Sequence, residues 1–332
     1  MNLVRHLCGL TDAIPISIVK PYPKGDSKGW PGWVFPKTSD EYPGATVDHL
    51  FHSRYLHEVY FKADKEYKGR YSVPCLWDTV HNTIVNNESA EMLRWLPTAF
   101  NSVLPSPSKL DLYPVDLAPT IDRLSVWMQS DLNTGVYKAG FASSQEAYDI
   151  AVPVVFDALN KLEALIAENG GPYIMGDRLT ELDIRAYATI VRFDTVYVQH
   201  FKCNLGTIRH NYPVINNWLK NLYWSVPGFD QSTNFKHIKE NCEFTYLSLS
   251  LSLSLSLSLS VCVCVGGCAL LPNDNCNFSD TKSHYDINPK GITPMGPIPN
   301  VEGGVEKDFG KLQVGHVPVE DIISKQKTQG NL

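Results

Sequence analysis

Residues 73–89, "VPCLWDTVHNTIVNNES", carry groups that could hold a small peptide-like ligand. A β-run containing Pro74 is not an ordinary central strand, because proline supplies no N–H to a ladder. If the peptide bond between Val73 and Pro74 is cis, Val73 can offer its own N–H and C=O to an extended ligand. Glu88 and Ser89 then fall where a helix begins. The Ser89 hydroxyl and the helix N-terminus suit a carboxylate, and Glu88 suits an ammonium. Glutathione has this set of groups, a γ-glutamyl α-amino acid joined to a Cys-Gly backbone. An edge strand followed by a capped helix, with no ligand at all, is the plain alternative, and these residues leave it open.

The elements that would position those groups are legible in part. Residues 14–21, "IPISIVKP", form a β-branched run that predicts a strand. Residues 22–45, rich in Gly, Pro and Trp, predict an ordered loop, and "VDHLFHSRYLHEVYFKA" (47–63) has apolar residues at helical spacing. "YSVPCLW" and "NTIVNN" predict a hairpin, and "ESAEMLRWLPTAF" a helix with acidic residues in its first turn. Beyond the linker "PSPSKLDLYP", helical periods dominate: "APTIDRLSVWMQSDL", "SQEAYDIAVPVVFDALNKLEALIAE", "ELDIRAYATIVRFDTVYVQHF" and "PVINNWLKNLYW". The expected organisation is an α/β domain over 1–104 and an all-α domain over 105–240. Thr180 and Asp183 have the spacing of an N-terminal capping pair, with Leu179 and Ile184 placed to staple it.

The chain has 332 residues, 43% of them hydrophobic and 19% charged, a globular composition. A net charge of −6 without a lysine-rich tract gives no electrostatic footprint for nucleic acid. The first ten residues do not make a signal peptide, so a cytoplasmic protein that engages no membrane is expected. Of eight cysteines, only Cys8, Cys75 and Cys203 lie away from 242–276, too scattered for a disulfide framework or a metal centre.

Residues 247–265 alternate Leu/Ser and then Val/Cys. Strict Leu/Ser alternation would be a strand of ~46 Å at ~3.3 Å per residue, with no preferred register. A CT dinucleotide repeat encodes Leu-Ser without end, and a GT repeat encodes Val-Cys. Residues 241–282 therefore read as a low-complexity insertion of translated simple-sequence DNA.

Longer motifs carry a specific resemblance. "RYLHEVYFKADKEYKGRYSVPCLWD…TIVNNESAEMLR", "GVYKAGFASSQEAYD", "LTELDIRAYATIVRFDTVYVQHFKCN" and "INPKGITPMGP" resemble the glutathionyl-hydroquinone reductases, the Xi class of glutathione transferases. The likeness spans about 1–240 and 283–298. It implies a thioredoxin-like N-terminal domain followed by an all-α glutathione-transferase domain. It also implies glutathione as co-substrate, with no metal, and glutathionylated hydroquinones as substrates; a homodimer is compatible with it. In that family a cysteine of a C-P-W motif attacks the thioether sulfur, the hydroquinone leaves, and a second glutathione resolves the mixed disulfide. Carried over by matching motif, Trp33, Arg70, Val73, Glu88 and Ser89 would line the glutathione site. Arg70 would pair with a ligand carboxylate. Tyr137 would be a catalytic tyrosine, and Tyr197 a wall of the hydroquinone pocket.

The sequence departs from the family in two places. No C-P-W occurs in it, and "LVRHLCGLTDAIPISIV" resembles the end of the family's first helix and the strand after it. The chain is therefore expected to start downstream of the nucleophile, without the first strand of the sheet, leaving 14–21 and 71–87 weakly ordered. Neither Cys8, at a helix end, nor Cys75, on the ligand strand, is expected to substitute. After His237-Ile238-Lys239 the insertion intervenes, and Tyr285 lies beyond the position of the family's further tyrosine. Residues 283–332 are expected to be a tail. Two functions compete: a glutathione-dependent reductase or thiol transferase, and a non-catalytic binding or assembly module of glutathione-transferase type.

Overall fold

The computed structural model describes residues 1–21, 25–30, 32–102, 104–106 and 108–241. The repeat at 247–265, Tyr285 and the expected tail at 283–332 lie outside them. The chain divides into two units, one of Met1–Leu112 joined by the segment from Pro227, the other built on Tyr113–Val226.

In the first unit α1 (Asn2–Leu7) is followed by a long loop, α2 (Leu56–Ala63), β1 (Leu76–Asp78), β2 (Thr83–Asn86) and α3 (Ser89–Ala99). The predicted hairpin forms, with Trp77 opposite Ile84 and Asp78 opposite Thr83. Asp78 closes its turn by accepting the N–H groups of Val80 (2.7 Å) and His81 (3.0 Å). Phe35, Leu56, Val59 and Tyr60 form a buried cluster, and Trp33, Tyr71, Cys75, Trp77 and Ile84 pack against it.

Two expectations need correction. Residues 14–21 form no strand: Lys20 N–H bonds to the Val34 carbonyl (2.8 Å), and Ile18 exchanges bonds with Thr46 (2.8 Å), so loop residues take its backbone groups singly. A β-branched run becomes a strand only where a neighbouring strand offers a ladder. The helix expected over 47–63 begins only at Leu56. Upstream, the Asp48 carboxylate accepts Leu50 N–H (3.1 Å) and Ser53 N–H (3.0 Å). His52 there has φ +53°, so a local side-chain turn displaces the helix.

The second unit is helical: α4 (Ala118–Trp127), α5 (Gly135–Gly140), α6 (Gln145–Asn169), α7 (Glu181–Arg192), α8 (Val198–His200), α9 (Ile208–Asn211) and α10 (Pro213–Ser225). π-helical turns occupy Met128–Asn133 and Phe193–Tyr197. Helix α6 starts at Ser144, whose hydroxyl accepts Ala147 N–H (3.2 Å), and stops at Gly170 in the left-handed region (φ +67°). Val152, Val155, Phe156, Leu159 and Leu162 fall on its buried stripe with no exposure. Glu163, buried beside them, accepts Val214 N–H (2.9 Å) and Ile215 N–H (2.8 Å), which seats the start of α10.

The capping pair expected at α7 is present. Asp183 accepts Thr180 N–H (2.9 Å) and the Thr180 hydroxyl (3.2 Å), and also Ile174 N–H (2.8 Å) and the Trp218 indole N–H (2.9 Å). One carboxylate thus fixes a helix start, the loop before it and a side chain of α10. A final short helix, α11 (Phe229–Ser232), packs on α1 in the first unit. Gly228 before it has φ +102°, and a Cβ there would lie 3.1 Å from the His6 Cβ.

Candidate functional site: a peptide-binding edge and a tyrosine pair

The Val73–Pro74 peptide is cis. Val73 is 44% exposed, and its backbone N–H and C=O have no partner among the described residues. The preceding residue is held firmly: the Tyr60 hydroxyl donates to the Ser72 carbonyl (2.8 Å), and the Asn87 side-chain amide donates to the Ser72 hydroxyl (2.9 Å) and to Tyr60 Oη (3.2 Å). Those bonds bring Ser72, the residue before Val73, against Asn87, the residue before Glu88.

Glu88 is the N-cap of α3, one carboxylate oxygen accepting Ala90 N–H (3.0 Å). Ser89 is the first helical residue and is exposed. The N–H groups of a first turn and their dipole attract an anion there. Arg70 is also exposed; its carbonyl accepts the Tyr67 hydroxyl (3.1 Å), and its guanidinium has no partner among the described residues. Trp33 is half-buried on the Phe35–Leu56–Val59–Tyr60 cluster, its carbonyl accepting Leu56 N–H (2.9 Å). Arg70, Val73, Glu88 and Ser89 thus present polar groups to solvent, while Trp33 is tied to the same core through its packing.

In the second unit Tyr137, on α5, and Tyr197, at the end of a π-helical turn, place their hydroxyls 3.2 Å apart. Tyr137 comes shortly after the first π-helical turn and Tyr197 closes the second, a rare local geometry that is frequent at functional sites. Phe201 lies under both, stacked on Tyr197 (5.0 Å, 22°) and edge-on to Tyr137 (5.1 Å, 65°). Tyr137 is 44% exposed and Phe141 is 50% exposed, so this aromatic cluster reaches the surface. A paired phenol at an aromatic surface can hydrogen-bond a phenolic oxygen and pass it a proton.

The thiols are set differently. Cys8 is buried and closes the C-terminal end of α1, the end of a helix that does not favour a thiolate. Burial pushes its thiol up, with a Ser108 hydrogen bond offsetting part of the shift. Burial likewise raises Cys75, to about 11, and Cys203 well beyond that. A nucleophilic cysteine needs the opposite shift. Among the described residues no group of three or more His, Cys, Asp or Glu could hold a metal ion. No described helix is long and apolar enough to cross a membrane.

The model of the glutathione S-transferase C-terminal domain matches residues 145–221. The chain is 47% identical over 302 residues to glutathione S-transferase omega-like 2 of Schizosaccharomyces pombe, covering 90% of this chain and 82% of that protein. Glutathionyl-hydroquinone reductase YqjG of Escherichia coli is 43% identical over 239 residues, 72% of this chain and 69% of the relative. Its glutathione-bound structure superposes with TM-score 0.68, covering 78% of this chain and 80% of the other. Glutathione transferase Xi 1 of Trametes versicolor gives TM-score 0.67 at 45% identity, over 72% of this chain and 80% of the other. The chain belongs to the glutathionyl-hydroquinone reductases, the Xi class of glutathione transferases. The fold class follows: a thioredoxin-like unit, here with its two-stranded hairpin, and an all-α glutathione-transferase unit.

Sequence reasoning missed the residues beneath these two sets of candidates, one in each unit. Asn87 and Tyr60 hold the edge, and Phe201 supports the tyrosines from a notch at Gly140, where a Cβ would lie 2.3 Å from Phe201 Cγ. A glycine inside the short periodic run "GVYKAGF" was the available signal for close approach. Nothing in the doublet "NN" distinguishes Asn87 from Asn86.

Proposed function

We propose that this chain binds glutathione and reduces glutathionyl-hydroquinones. The reading is carried by the hydroxyl pair of Tyr137 and Tyr197, 3.2 Å apart, in which an exposed tyrosine is bonded to a buried one in an aromatic cluster of a Xi-class chain. Net chemistry is balanced by two thiol-level electrons: glutathionyl-hydroquinone and glutathione give hydroquinone and glutathione disulfide. The carbon–sulfur bond breaks as a sulfur–sulfur bond forms, and the departing ring carbon takes a proton.

Each residue has a role in that reaction. Val73 pairs with the cysteinyl backbone of glutathione through its free N–H and C=O. Ser89 and the α3 N-terminus take the γ-glutamyl carboxylate, and the carboxylate oxygen of Glu88 not used for capping takes the ammonium. Arg70 pairs with the glycine carboxylate, and Trp33 is a wall of the site. Tyr137 polarises the hydroquinone oxygen and relays the proton, with Tyr197 as its hydrogen-bond partner and the pocket wall.

A second reading is favoured by the thiols. Cys8, Cys75 and Cys203 are all raised by burial, so none is poised as the nucleophile. On that reading the chain is a glutathione-binding module without turnover. The deciding experiment incubates the full chain with a glutathionyl-1,4-hydroquinone and glutathione, resolving products by chromatography. One glutathione disulfide per hydroquinone released supports the reductase. Retention on immobilised glutathione with no product supports the binding module, and neither retention nor product rejects both.

A further inference from the structure

The two parts of the glutathione edge come from different stretches of chain. Val73 lies in a loop before β1 and is not itself in a strand. Glu88 and Ser89 open α3. A ligand that reaches from one to the other requires their spacing to be set before it arrives, or it must order that spacing itself at a cost in affinity.

We propose that Asn87, acting with Tyr60, is the positioning residue that holds these two parts in register for glutathione; this rests on the reading of the edge as a glutathione site. Each bond of the latch involves an immediate neighbour of a ligand contact. Asn87 precedes Glu88, and its amide donates to the hydroxyl of Ser72, which precedes Val73, at 2.9 Å. The same amide donates to Tyr60 Oη (3.2 Å), whose own proton goes to the Ser72 carbonyl (2.8 Å). Tyr60 is a rigid post for this triangle: it is 2% exposed, with Tyr67 at 4.9 Å and Tyr71 at 5.6 Å ring to ring.

Asn86 does a different job. Its side chain accepts Glu88 N–H (2.5 Å) and donates to Glu91 (2.8 Å), so it ties the start of α3 to itself. Among the described residues, Asn87 is the side chain that crosses from that helix start to the Val73 loop. Asn87 touches no ligand group in this scheme and acts through Ser72.

The test uses the full chain and two ligands. Glutathione spans both parts of the edge, whereas γ-glutamylmethylamide reaches only Glu88, Ser89 and the α3 N-terminus. Calorimetry for glutathione and NMR titration for the amide are run on wild type, Asn87→Ala and Tyr60→Phe. Tyr60→Phe keeps the ring packing and removes only the hydroxyl, so it carries the test if Asn87→Ala does not fold. Loss of preorganisation predicts glutathione binding at least about tenfold weaker in both variants, with the amide within about twofold of wild type. Equal weakening of both ligands would overturn the proposal, since Asn87 would then merely support the helix start. Unchanged glutathione affinity would also overturn it. A wild-type chain that binds no glutathione would reject the reading of the edge itself, before any variant is compared, and the latch would fall with it.

Discussion

Replacing Asp183 by alanine should destabilise the helical unit more than any surface change. The carboxylate accepts four hydrogen bonds, from Thr180 N–H, the Thr180 hydroxyl, Ile174 N–H and the Trp218 indole. Thr180 and Ile174 have no exposure and Trp218 only 2%, so bulk water cannot replace the lost acceptor. Three stranded N–H donors at ~1–3 kcal/mol each would cost up to ~9 kcal/mol. Part is recovered, because the variant no longer buries a carboxylate, whose desolvation outweighs its hydrogen bonds in raising the Asp183 pKa. The net expectation is about 3–5 kcal/mol, at the upper end of single-substitution losses, as breaking a buried hydrogen-bond network gives. At ~2–4 °C per kcal/mol for a chain of this size, the melting midpoint falls by about 10 °C in circular dichroism. The pH dependence has a definite sign. A raised pKa means that the folded chain holds this proton more tightly than the unfolded chain does. The stability it contributes is complete below the ordinary aspartate value of ~3.9 and is lost as pH rises through the folded value. Asp183→Asn lacks that contribution, so its deficit relative to wild type should be larger at pH 4 than at pH 7. A midpoint shift under about 3 °C for Asp183→Ala, less than ~1 kcal/mol or so on the same scale, would refute the reasoning.

Two further expectations follow from the packing and the thiols. Gly140→Ala sets a helix-propensity gain of up to ~1 kcal/mol against an overpacking loss of ~1–3 kcal/mol. The clash is with Phe201 Cγ at 2.3 Å rather than with a flexible tip, so the midpoint should fall and the aromatic circular dichroism should weaken; a rise would show that Phe201 moves freely. Cys75, with its thiol at about 11, should alkylate with iodoacetamide about 10–100-fold more slowly at pH 7 than a free cysteine, its low thiolate fraction being only partly offset by higher nucleophilicity. Its rate should climb with pH up to that value; full reactivity at pH 7 would make Cys75 a nucleophile candidate again.

Helices α4, α6, α7 and α10 were legible because each carries a sustained helical period, and the α7 start because Thr180 and Asp183 make a local device. The strand at 14–21 was misread because a strand exists only with a neighbour, and the start of α2 because Asp48 competes for backbone N–H groups. Helix α5, only six residues long, offers too little period to read. The hydroxyl contact between Tyr137 and Tyr197 joins positions 60 residues apart, and motif resemblance, not spacing, brought them to attention together. Contacts such as Asn87 with Ser72 are fixed by tertiary packing, which leaves no local signature.

The central claim is that Arg70, Val73, Glu88 and Ser89 form one glutathione edge. Calorimetric titration of the full chain with glutathione, beside Arg70→Ala and Ser89→Ala, tests it most directly. The account predicts saturable one-to-one binding to wild type, weakened about tenfold or more in each variant, as expected for loss of a charge-assisted contact. Binding unchanged in both variants, or no saturation at millimolar glutathione, would contradict it.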